Sequence, residues 1–158
     1  MQLDGSCYCG AVRFSVKAYA PVPYMRCYCS ICRKTAGGGG YAINLGARAD
    51  TLKVEGEENI SMFHAVIDSV ESSGERRFCN RCGSALWVYD PAWPDLVHPF
   101  ASAIDTPLPK APQSEHILLE FKPEWVCVEA DPDDGRYQGY PPESLEAWHR
   151  RNGLFNED

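Results

Sequence analysis

The amino-acid sequence predicts a mostly β fold with one short helix near the C-terminus. In several short stretches apolar and polar residues alternate, which is the side-chain period of a half-buried strand. Glycine and proline separate these stretches, as is typical of short strands joined by turns. A chain of 158 residues is long enough to bury a real core. We therefore expect a single domain over residues 1–158.

The first predicted strand lies around Val12, Phe14 and Val16, which alternate with polar residues. Alternation or a β-rich composition predicts further strands over 41–45, 85–89, 116–121 and 125–128, the last two separated by a turn around Pro123. The stretch 91–112 is rich in proline. Because proline lacks a backbone donor, we expect an edge strand and loops there rather than a central strand.

The predicted helix lies in PPESLEAWHRRNG, residues 141–153. Pro142 suits the first turn and Gly153 suits the position after the last turn. Acidic residues come early and basic residues late, which favours the helix dipole. We expect the helix to pack through Leu145 and Trp148. It belongs to a C-terminal extension over about 130–158, beyond a core of about 5–129.

The charge of the chain excludes some classes of partner. A net charge of −7 offers no basic stripe for a nucleic acid or an anionic membrane. The N-terminal residues lack the pattern of a secretory signal, and no apolar run reaches the roughly 18 residues of a membrane span. These features predict a cytoplasmic protein, whose reducing surroundings disfavour disulfides.

The cysteines fall into clusters, and clustered cysteines of a reducing compartment are typical metal ligands. A C-x-x-C pair followed by Gly83 is typical of a zinc turn. Residues i and i+2 of a strand point the same way, so a C-x-C pair can also share one ion. Seven of the eight cysteines form three clusters: Cys7 and Cys9; Cys27, Cys29 and Cys32; Cys79 and Cys82.

Seven ligands divide most naturally into four and three. Four thiolates close a structural zinc site, whereas three protein ligands leave a position for water or substrate. Spacing alone also allows the three-cysteine cluster to take Cys127 as its fourth ligand. The apolar run around Cys127 favours instead a buried small side chain. The sets in the first division are Cys7, Cys9, Cys79 and Cys82, and Cys27, Cys29 and Cys32.

The segments GSCYCGAVRF, RCYCSICRK and FCNRCGSALW resemble, in this order, the glutathione-dependent formaldehyde-activating enzyme family, which also includes centromere protein V-like proteins. The resemblance runs from about Gly5 to about Glu129 and implies the β-tent, a fold of short antiparallel strands with two zinc ions. By position, the four-cysteine set matches the structural zinc site of the family. The three-cysteine set matches its catalytic zinc site. The glycine-rich run TAGGGG over 35–40 departs from the family pattern.

The reaction of this family is the formation of S-(hydroxymethyl)glutathione from glutathione and formaldehyde, a carbon–sulfur lyase type of chemistry. A zinc ion with an open position suits it, since the ion can ionise a coordinating thiol or polarise the aldehyde oxygen. The sequence leaves both routes open. It also leaves open a carrier that binds glutathione or another thiol without turnover, or a zinc-stapled domain that docks a protein partner.

Several residues are candidates for further roles at the site. Arg33 and Lys34 directly follow the three-cysteine cluster, where they could meet a carboxylate of glutathione or remain solvated on a short helical turn. The acidic run over 131–134 is predicted to be a solvated turn. The candidate proton donors, chosen by residue type only, are Tyr28, Tyr41, His64 and His98.

Overall fold

The computed structural model describes residues 1–155 and is mostly β, which confirms the predicted fold class. Residues 156–158 of the predicted extension lie outside the described residues. Short 3-10 helices occur at Ala49–Thr51, Glu57–Asn59, Ala101–Ala103 and Leu119–Phe121. In chain order the other elements are β1 (Gln2–Ser6), β2 (Arg13–Lys17), β3 (Tyr24–Cys27), α1 (Ser30–Ala36), β4 (Ala42–Asn44), β5 (Ala47–Arg48), β6 (Lys53–Glu55), β7 (Ile60–Ile67), β8 (Val70–Cys79), β9 (Ala85–Tyr89), β10 (Leu96–Pro99), β11 (Ser114–Ile117), β12 (Gly135–Arg136) and α2 (Leu145–Arg151).

The chain forms two compact units. Unit 1 comprises Met1–Ala18 and Gly46–Leu108, and unit 2 comprises Tyr19–Leu45 and the chain from Pro109 onward. Each unit contains one of the two predicted cysteine sets. The single-domain organisation of residues 1–158 stays a prediction.

Unit 1 contains two antiparallel sheets, with strand orders β1-β2-β6 and β5-β10-β9-β8-β7. Strands β2 and β9 confirm two predicted strands, the first predicted from the alternation of apolar residues and the second from its β-rich composition. Leu3, Phe14 and Val16 are buried because they lie on the inward face of the β1–β2 hairpin. The ring of Phe14 meets that of Trp87 edge-on, with ring centres 5.1 Å apart. The core of unit 1 is therefore built from the period-2 pattern of its strands.

The expectation for 91–112 is wrong in one respect. Strand β10 pairs with β5 on one side and β9 on the other, so it is not an edge strand. Pro99 is the last residue of β10, and the other prolines of this stretch lie outside the strand. The interior of β10 thus keeps the backbone donors that two-sided pairing needs. The sequence patterns also missed the long β7–β8 hairpin.

Unit 2 contains one sheet with the order β12-β11-β3-β4, in which β4 confirms the strand predicted over 41–45. Strand β11 runs parallel to both β3 and β12, a departure from the antiparallel pairing that the family resemblance implied. All four residues of β11 are buried. This strand therefore lies at the centre of the unit, next to the strand that ends at Cys27.

Two strand predictions in unit 2 need correction. The strand predicted over 116–121 ends at Ile117, where the chain leaves β11 and turns into the 3-10 helix Leu119–Phe121. The stretch 125–128 is not a strand. The backbone N–H of Val126 donates to the carbonyl of Pro123 over 3.1 Å, so the chain turns there.

The predicted C-terminal helix is confirmed as α2. It begins at Leu145, after Pro142 rather than with it, because the hydroxyl of Ser144 caps the helix by accepting from the N–H of Ala147 over 3.1 Å. Trp148 and His149 are buried, and Nε2 of His149 donates to the carbonyl of Val22 over 2.6 Å. Within residues 1–155, no helix has the length and apolar character needed to cross a membrane.

Replacing Gly5 by Ala is expected to lower the free energy of unfolding by about 1–3 kcal/mol, the usual cost of overpacking. A Cβ at Gly5 would lie 2.4 Å from the ring of Phe14 and 2.5 Å from the carbonyl oxygen of Ala103. Gly39→Ala is the matched control, because a Cβ there meets nothing within 4 Å. Urea unfolding measures both variants, and equal stabilities would contradict the packing of β1.

Candidate metal centres

The first cysteine cluster lies in unit 1, where β1 and β8 end. The sulfurs of Cys7 and Cys9 are 3.6 Å apart, and those of Cys9 and Cys79 are 3.9 Å apart. With Cys82, all four sulfurs lie within 4.8 Å of one another. The structure therefore brings together the four-cysteine set that the sequence predicts.

The C-x-C pair reaches this geometry by a route that the sequence argument did not predict. Strand β1 ends at Ser6, so Cys7 and Cys9 do not lie on one face of a strand. They lie in a tight turn in which the N–H of Gly10 donates to the carbonyl of Cys7 over 3.0 Å. Gly10 has a φ of 74°, which favours glycine. The pairing was predicted correctly, but the turn and not the pleat of a strand produces it.

The C-x-x-C-G segment forms the turn that its spacing predicts. The N–H of Gly83 donates to the carbonyl of Cys79 over 2.8 Å, and Gly83 adopts a φ of 78°. The N–H of Arg81 points at the sulfur of Cys79 over 3.4 Å. On the other side of the cluster, the N–H of Val12 donates to the sulfur of Cys7 over 3.3 Å. Burial alone would raise the pKa of Cys7, but the hydrogen bonds that its sulfur accepts, that from Val12 first among them, outweigh burial and lower this pKa.

The second cluster lies in unit 2, where β3 leads into α1. Cys27 is the last residue of β3, Cys29 is the N-cap of α1, and Cys32 lies in its first turn. The sulfur of Cys29 accepts from the N–H of Cys32 over 3.3 Å, so the cap of the helix is itself a candidate ligand. The three sulfurs lie within 4.8 Å of one another. The amide Nδ2 of Asn44 is 3.9 Å from the sulfur of Cys32.

Cys127 belongs to neither cluster. It is exposed and lies outside both groups of converging sulfurs that the described residues form. The alternative in which Cys127 completes the three-cysteine set is therefore wrong, and so is its prediction as a buried side chain. The reason for both is the turn at Pro123, which replaces the strand predicted over 125–128.

Both clusters fit a metal that prefers thiolates. Two sulfurs bound tetrahedrally at zinc–sulfur distances of about 2.3 Å lie about 3.8 Å apart, close to the separations in the four-cysteine cluster. In the three-cysteine cluster, hydrogen bonds from Cys27 and Cys32 lower the pKa of Cys29, whereas the interaction with Cys29 raises the pKa of Cys27. Ionisation of one thiol therefore disfavours ionisation of its neighbour. A bound cation would allow all of them to be thiolates.

A buried hydrogen-bonded chain supports the three-cysteine cluster. Tyr28, between Cys27 and Cys29, places its hydroxyl 2.8 Å from Nδ1 of His116. Nε2 of His116 is 3.2 Å from Oδ2 of Asp134. Tyr28 and His116 are fully buried. The backbone N–H of Tyr28 also donates to the carbonyl of Ile117 over 3.1 Å, so β11 holds the cysteine segment through both main chain and side chain.

The protonation states of His116 and Asp134 set the direction of the hydrogen bonds that link them to Tyr28. Burial lowers the pKa of His116 and outweighs the opposing effect of Asp134, so the ring is neutral at pH 7. Burial also acts on Asp134, but hydrogen bonds from Ser114, His116 and Asp131 outweigh it and lower the pKa of that carboxyl. A neutral His116 that donates from Nε2 to the carboxylate accepts at Nδ1. Tyr28 therefore donates its hydroxyl proton to His116.

Sequence reasoning missed His116 and Asp134. The side chain of Asp134 is only 8% exposed, so the prediction of a solvated turn over 131–134 is wrong for this residue. Its carboxylate accepts from the N–H of Ser114 over 2.8 Å and from that of Asp131 over 3.0 Å. No local motif marks His116, because its role depends on the parallel pairing of β11 with β3.

The other residues predicted to take part in the site lie in both units. Tyr41 lies in unit 2, where Nη1 of Arg26 donates to its hydroxyl over 3.1 Å. His64 and His98 lie in unit 1, on β7 and β10. Arg33 and Lys34 lie on α1, which confirms the short helical turn. Arg33 is half-buried and Lys34 is exposed.

The fold and the two cysteine clusters define a mostly β protein with two candidate thiolate metal centres. Comparison with known proteins specifies the class further. The family model for the glutathione-dependent formaldehyde-activating enzyme matches residues 2–120. The chain therefore belongs to the glutathione-dependent formaldehyde-activating enzyme family, which confirms the resemblance in its cysteine segments.

Two relatives agree with this assignment. A protein of Halomonas elongata named "Putative glutathione-dependent formaldehyde-activating enzyme" is 61% identical over 154 residues, which is 98% of each chain. The crystal structure of a Rhodobacter sphaeroides protein matches with a TM-score of 0.52 and 27% identity. That match covers 69% of this chain and 92% of the other. The similarity thus extends from sequence to fold.

Replacing His116 by Phe is expected to lower the free energy of unfolding at pH 7 by about 1–3 kcal/mol. The ring volume is kept, but the buried hydroxyl of Tyr28 and the carboxylate of Asp134 each lose a partner. Urea unfolding with saturating zinc measures the change. A loss below about 0.5 kcal/mol, the level of an ordinary surface substitution, would contradict the supporting role.

The pH dependence of the stability difference between wild type and His116→Phe provides the control. The folded state holds His116 neutral, whereas in the unfolded chain the ring gains a proton below about pH 6.5. The stability contributed by the neutral ring is therefore present at pH 7 and is lost as the pH falls below 6.5. The difference between wild type and His116→Phe is expected to narrow from pH 7 to pH 5. The cysteines are common to both proteins and do not contribute to this difference.

Proposed function

We propose that the protein is a zinc-dependent enzyme that adds glutathione to formaldehyde, or to a related small aldehyde, and forms an S-hydroxyalkyl adduct. This activity is that of a carbon–sulfur lyase similar to S-(hydroxymethyl)glutathione synthase. The observation that carries the proposal is a cluster of three converging cysteines with an asparagine amide, and no fourth cysteine, beside it. Family membership and the name of the Halomonas elongata relative support the two substrates.

In this proposal each chain holds two zinc ions, one structural and one catalytic. Cys7, Cys9, Cys79 and Cys82 would hold the structural ion, and Cys27, Cys29 and Cys32 the catalytic one. A zinc ion held by three thiolates supplies a Lewis-acid position that suits a thiol or an aldehyde oxygen. The difference in ligand number assigns the two roles, since a four-thiolate site is closed to substrate.

The reaction balances without a redox partner. The S–H bond of the thiol breaks, the sulfur forms a bond to the aldehyde carbon, the π electrons of the carbonyl move to its oxygen, and that oxygen gains a proton. The proton that the thiol loses restores the group that protonates the oxygen, so thiol and aldehyde give the adduct with nothing left over. Two of the candidate proton donors are tyrosines, and of these Tyr28 donates its hydroxyl proton to His116. The hydroxyl oxygen of Tyr41 accepts from Arg26, which leaves the proton of Tyr41 available. This difference favours Tyr41 as the proton donor.

The chain from Asp134 through His116 to Tyr28 has a positioning role in this proposal. Cys27 and Cys29 flank Tyr28 in the chain, so fixing Tyr28 limits how far either sulfur can move. A site that must keep one position open needs its protein ligands held from behind. Buried hydrogen bonds to His116 and to the carbonyl of Ile117 meet that need.

The proposed partners are glutathione and the aldehyde, with no nucleic acid and no membrane. The net charge of −7 supports this choice, because a phosphate-rich partner would be repelled. A cytoplasmic location is part of the proposal, since a reducing compartment keeps free thiols and the cysteine clusters in the required state.

Glutathione is expected to change the visible absorption of the cobalt-substituted protein, because a thiolate entering an open position alters the ligand field of the ion. The cobalt spectrum is recorded during a titration with glutathione. An unchanged spectrum would show that both metal sites are closed to thiols. Turnover is then measured as hemithioacetal formation with and without protein. Glutathione binding without acceleration would favour the carrier over the enzyme.

Cys29→Ser and Cys82→Ser are expected to separate the two sites. Cys29→Ser should abolish the spectral response to glutathione and spare most of the fold, because the three ligands lie within one short segment. Cys82→Ser should mainly lower stability, since the four-cysteine site joins distant segments. Zinc content and thermal unfolding measure both effects. Loss of the whole fold in Cys29→Ser would contradict the assignment of roles.

A further inference from the structure

The unsatisfied buried polar atoms of the described residues all lie in unit 2, the unit that contains the three-cysteine cluster. Buried polar groups in native proteins almost always have a hydrogen-bond partner, so each exception needs an explanation. One explanation is a ligand that completes the site. Within residues 1–155 five buried side-chain atoms have no partner: Arg26 Nε, Arg33 Nε, Asn44 Oδ1, Glu115 Oε2 and Trp148 Nε1.

Asn44 places an unused acceptor beside the cysteines. In the pairing of β3 with β4, Met25 lies opposite Asn44 and Cys27 lies opposite Ala42. Residues two apart share a face of a sheet, so Asn44 and Cys27 lie on the same face. Nδ2 of Asn44 is 3.9 Å from the sulfur of Cys32, and Oδ1 is buried without a donor. A ligand at the cluster would satisfy Oδ1 with an N–H group.

The positively charged side chain of Arg33 belongs to the same segment as the cluster. It directly follows Cys32 on α1, its Nε is buried, and its guanidinium makes no hydrogen bond or ion pair with the described residues. The sequence from Tyr19 to Leu45 contains no aspartate or glutamate that could neutralise it. A half-buried guanidinium without a counter-charge is costly, and its planar fork of donors matches a carboxylate.

The two other basic residues of this segment differ from Arg33 in their surroundings, although Nε of Arg26 also lacks a partner. Arg26 donates to the hydroxyl of Tyr41, and its guanidinium lies over the ring of Tyr41, 5.2 Å from the ring centre. Lys34 is exposed, so water solvates its charge. Arg33 is therefore the residue of this segment whose geometry calls for an anionic ligand.

We propose that Arg33 and Asn44 select the thiol substrate by its peptide groups, an inference that rests on the proposed function of the three-cysteine cluster. Arg33 binds a carboxylate of the thiol, and Oδ1 of Asn44 accepts from the amide N–H of its cysteine. The substrate class is a cysteine-containing peptide with a free carboxylate, such as glutathione. A small thiol without these groups leaves both residues unsatisfied and binds more weakly.

The test uses the zinc-loaded full chain and S-methylglutathione, a probe that keeps both carboxylates and both amides but has no free thiol. Isothermal titration calorimetry compares wild type with Arg33→Gln, which keeps most of the side-chain length and removes the charge. Arg33→Gln is expected to weaken binding about tenfold or more, because charge-assisted hydrogen bonds are lost. Equal affinities for wild type and Arg33→Gln would overturn the role of Arg33.

Lys34→Gln is the matched control, since it removes the same charge from the adjacent exposed position. Its affinity for S-methylglutathione is expected to stay within about twofold of wild type, as for an ordinary surface substitution. A loss equal to that of Arg33→Gln would show a general charge effect and overturn the specific contact. Zinc content and circular dichroism confirm that each variant is folded.

The diethyl ester of S-methylglutathione separates the two contacts. Wild type and Arg33→Gln are expected to bind the ester alike, because it has no carboxylate for Arg33. Asn44→Leu is expected to weaken binding of the acid and of the ester several-fold, because the amide contact is common to both. Unchanged affinity in Asn44→Leu would overturn the role of Asn44.

The test also separates this inference from the proposed function. If wild type does not bind S-methylglutathione while glutathione still shifts the cobalt spectrum, the peptide-recognition site is wrong and the open metal site stands. If S-methylglutathione binds as described but glutathione neither shifts the cobalt spectrum nor reacts faster, the proposed function is wrong and the peptide-recognition site stands.

Discussion

Close packing of thiols is the constraint on which both units depend. Sulfurs within 4.8 Å of one another cannot all carry negative charge unless a cation neutralises them. The cysteines of the two clusters are separated by very different lengths of chain. Cys9 and Cys79 are 70 positions apart, so a metal there would close a long loop and stabilise the fold. The other cluster lies within one β3–α1 segment, so a metal there would close almost no loop.

The three-cysteine cluster is held from two directions. Local geometry brings its sulfurs together, because Cys29 caps the helix whose first turn contains Cys32. Support also comes from His116 on β11 and from Asp134, which precedes β12. Asn44, which lies beside the cluster, and Arg33, which follows Cys32 in the chain, have polar atoms that no described residue satisfies. A firmly held set of ligands with unsatisfied groups beside it is the arrangement expected of a binding site.

The elements with clear sequence signals were predicted correctly. The predictions that depended on which strands pair with each other were wrong. Strands β2, β4 and β9 and helix α2 follow from alternation and end signals. The central position of β10 was missed, because proline content does not reveal which position of a strand the proline occupies. The stretch 125–128 has a β-rich composition, but the turn at Pro123 prevents it from pairing. Local propensity cannot register such tertiary choices.

The sequence by itself determined the two sets of converging cysteines and the turn at Gly83, because the spacing of cysteines limits which sulfurs can come together. It also determined the mostly β class, through its alternating residues, and the family, through its cysteine segments. Only the tertiary structure decided that Cys127 is exposed and that His116 and Asp134 support Tyr28. The exposure of Cys127 follows from the turn at Pro123. The support of Tyr28 depends on the pairing of β11 with β3, strands that are distant in the chain, and such pairing leaves no local pattern.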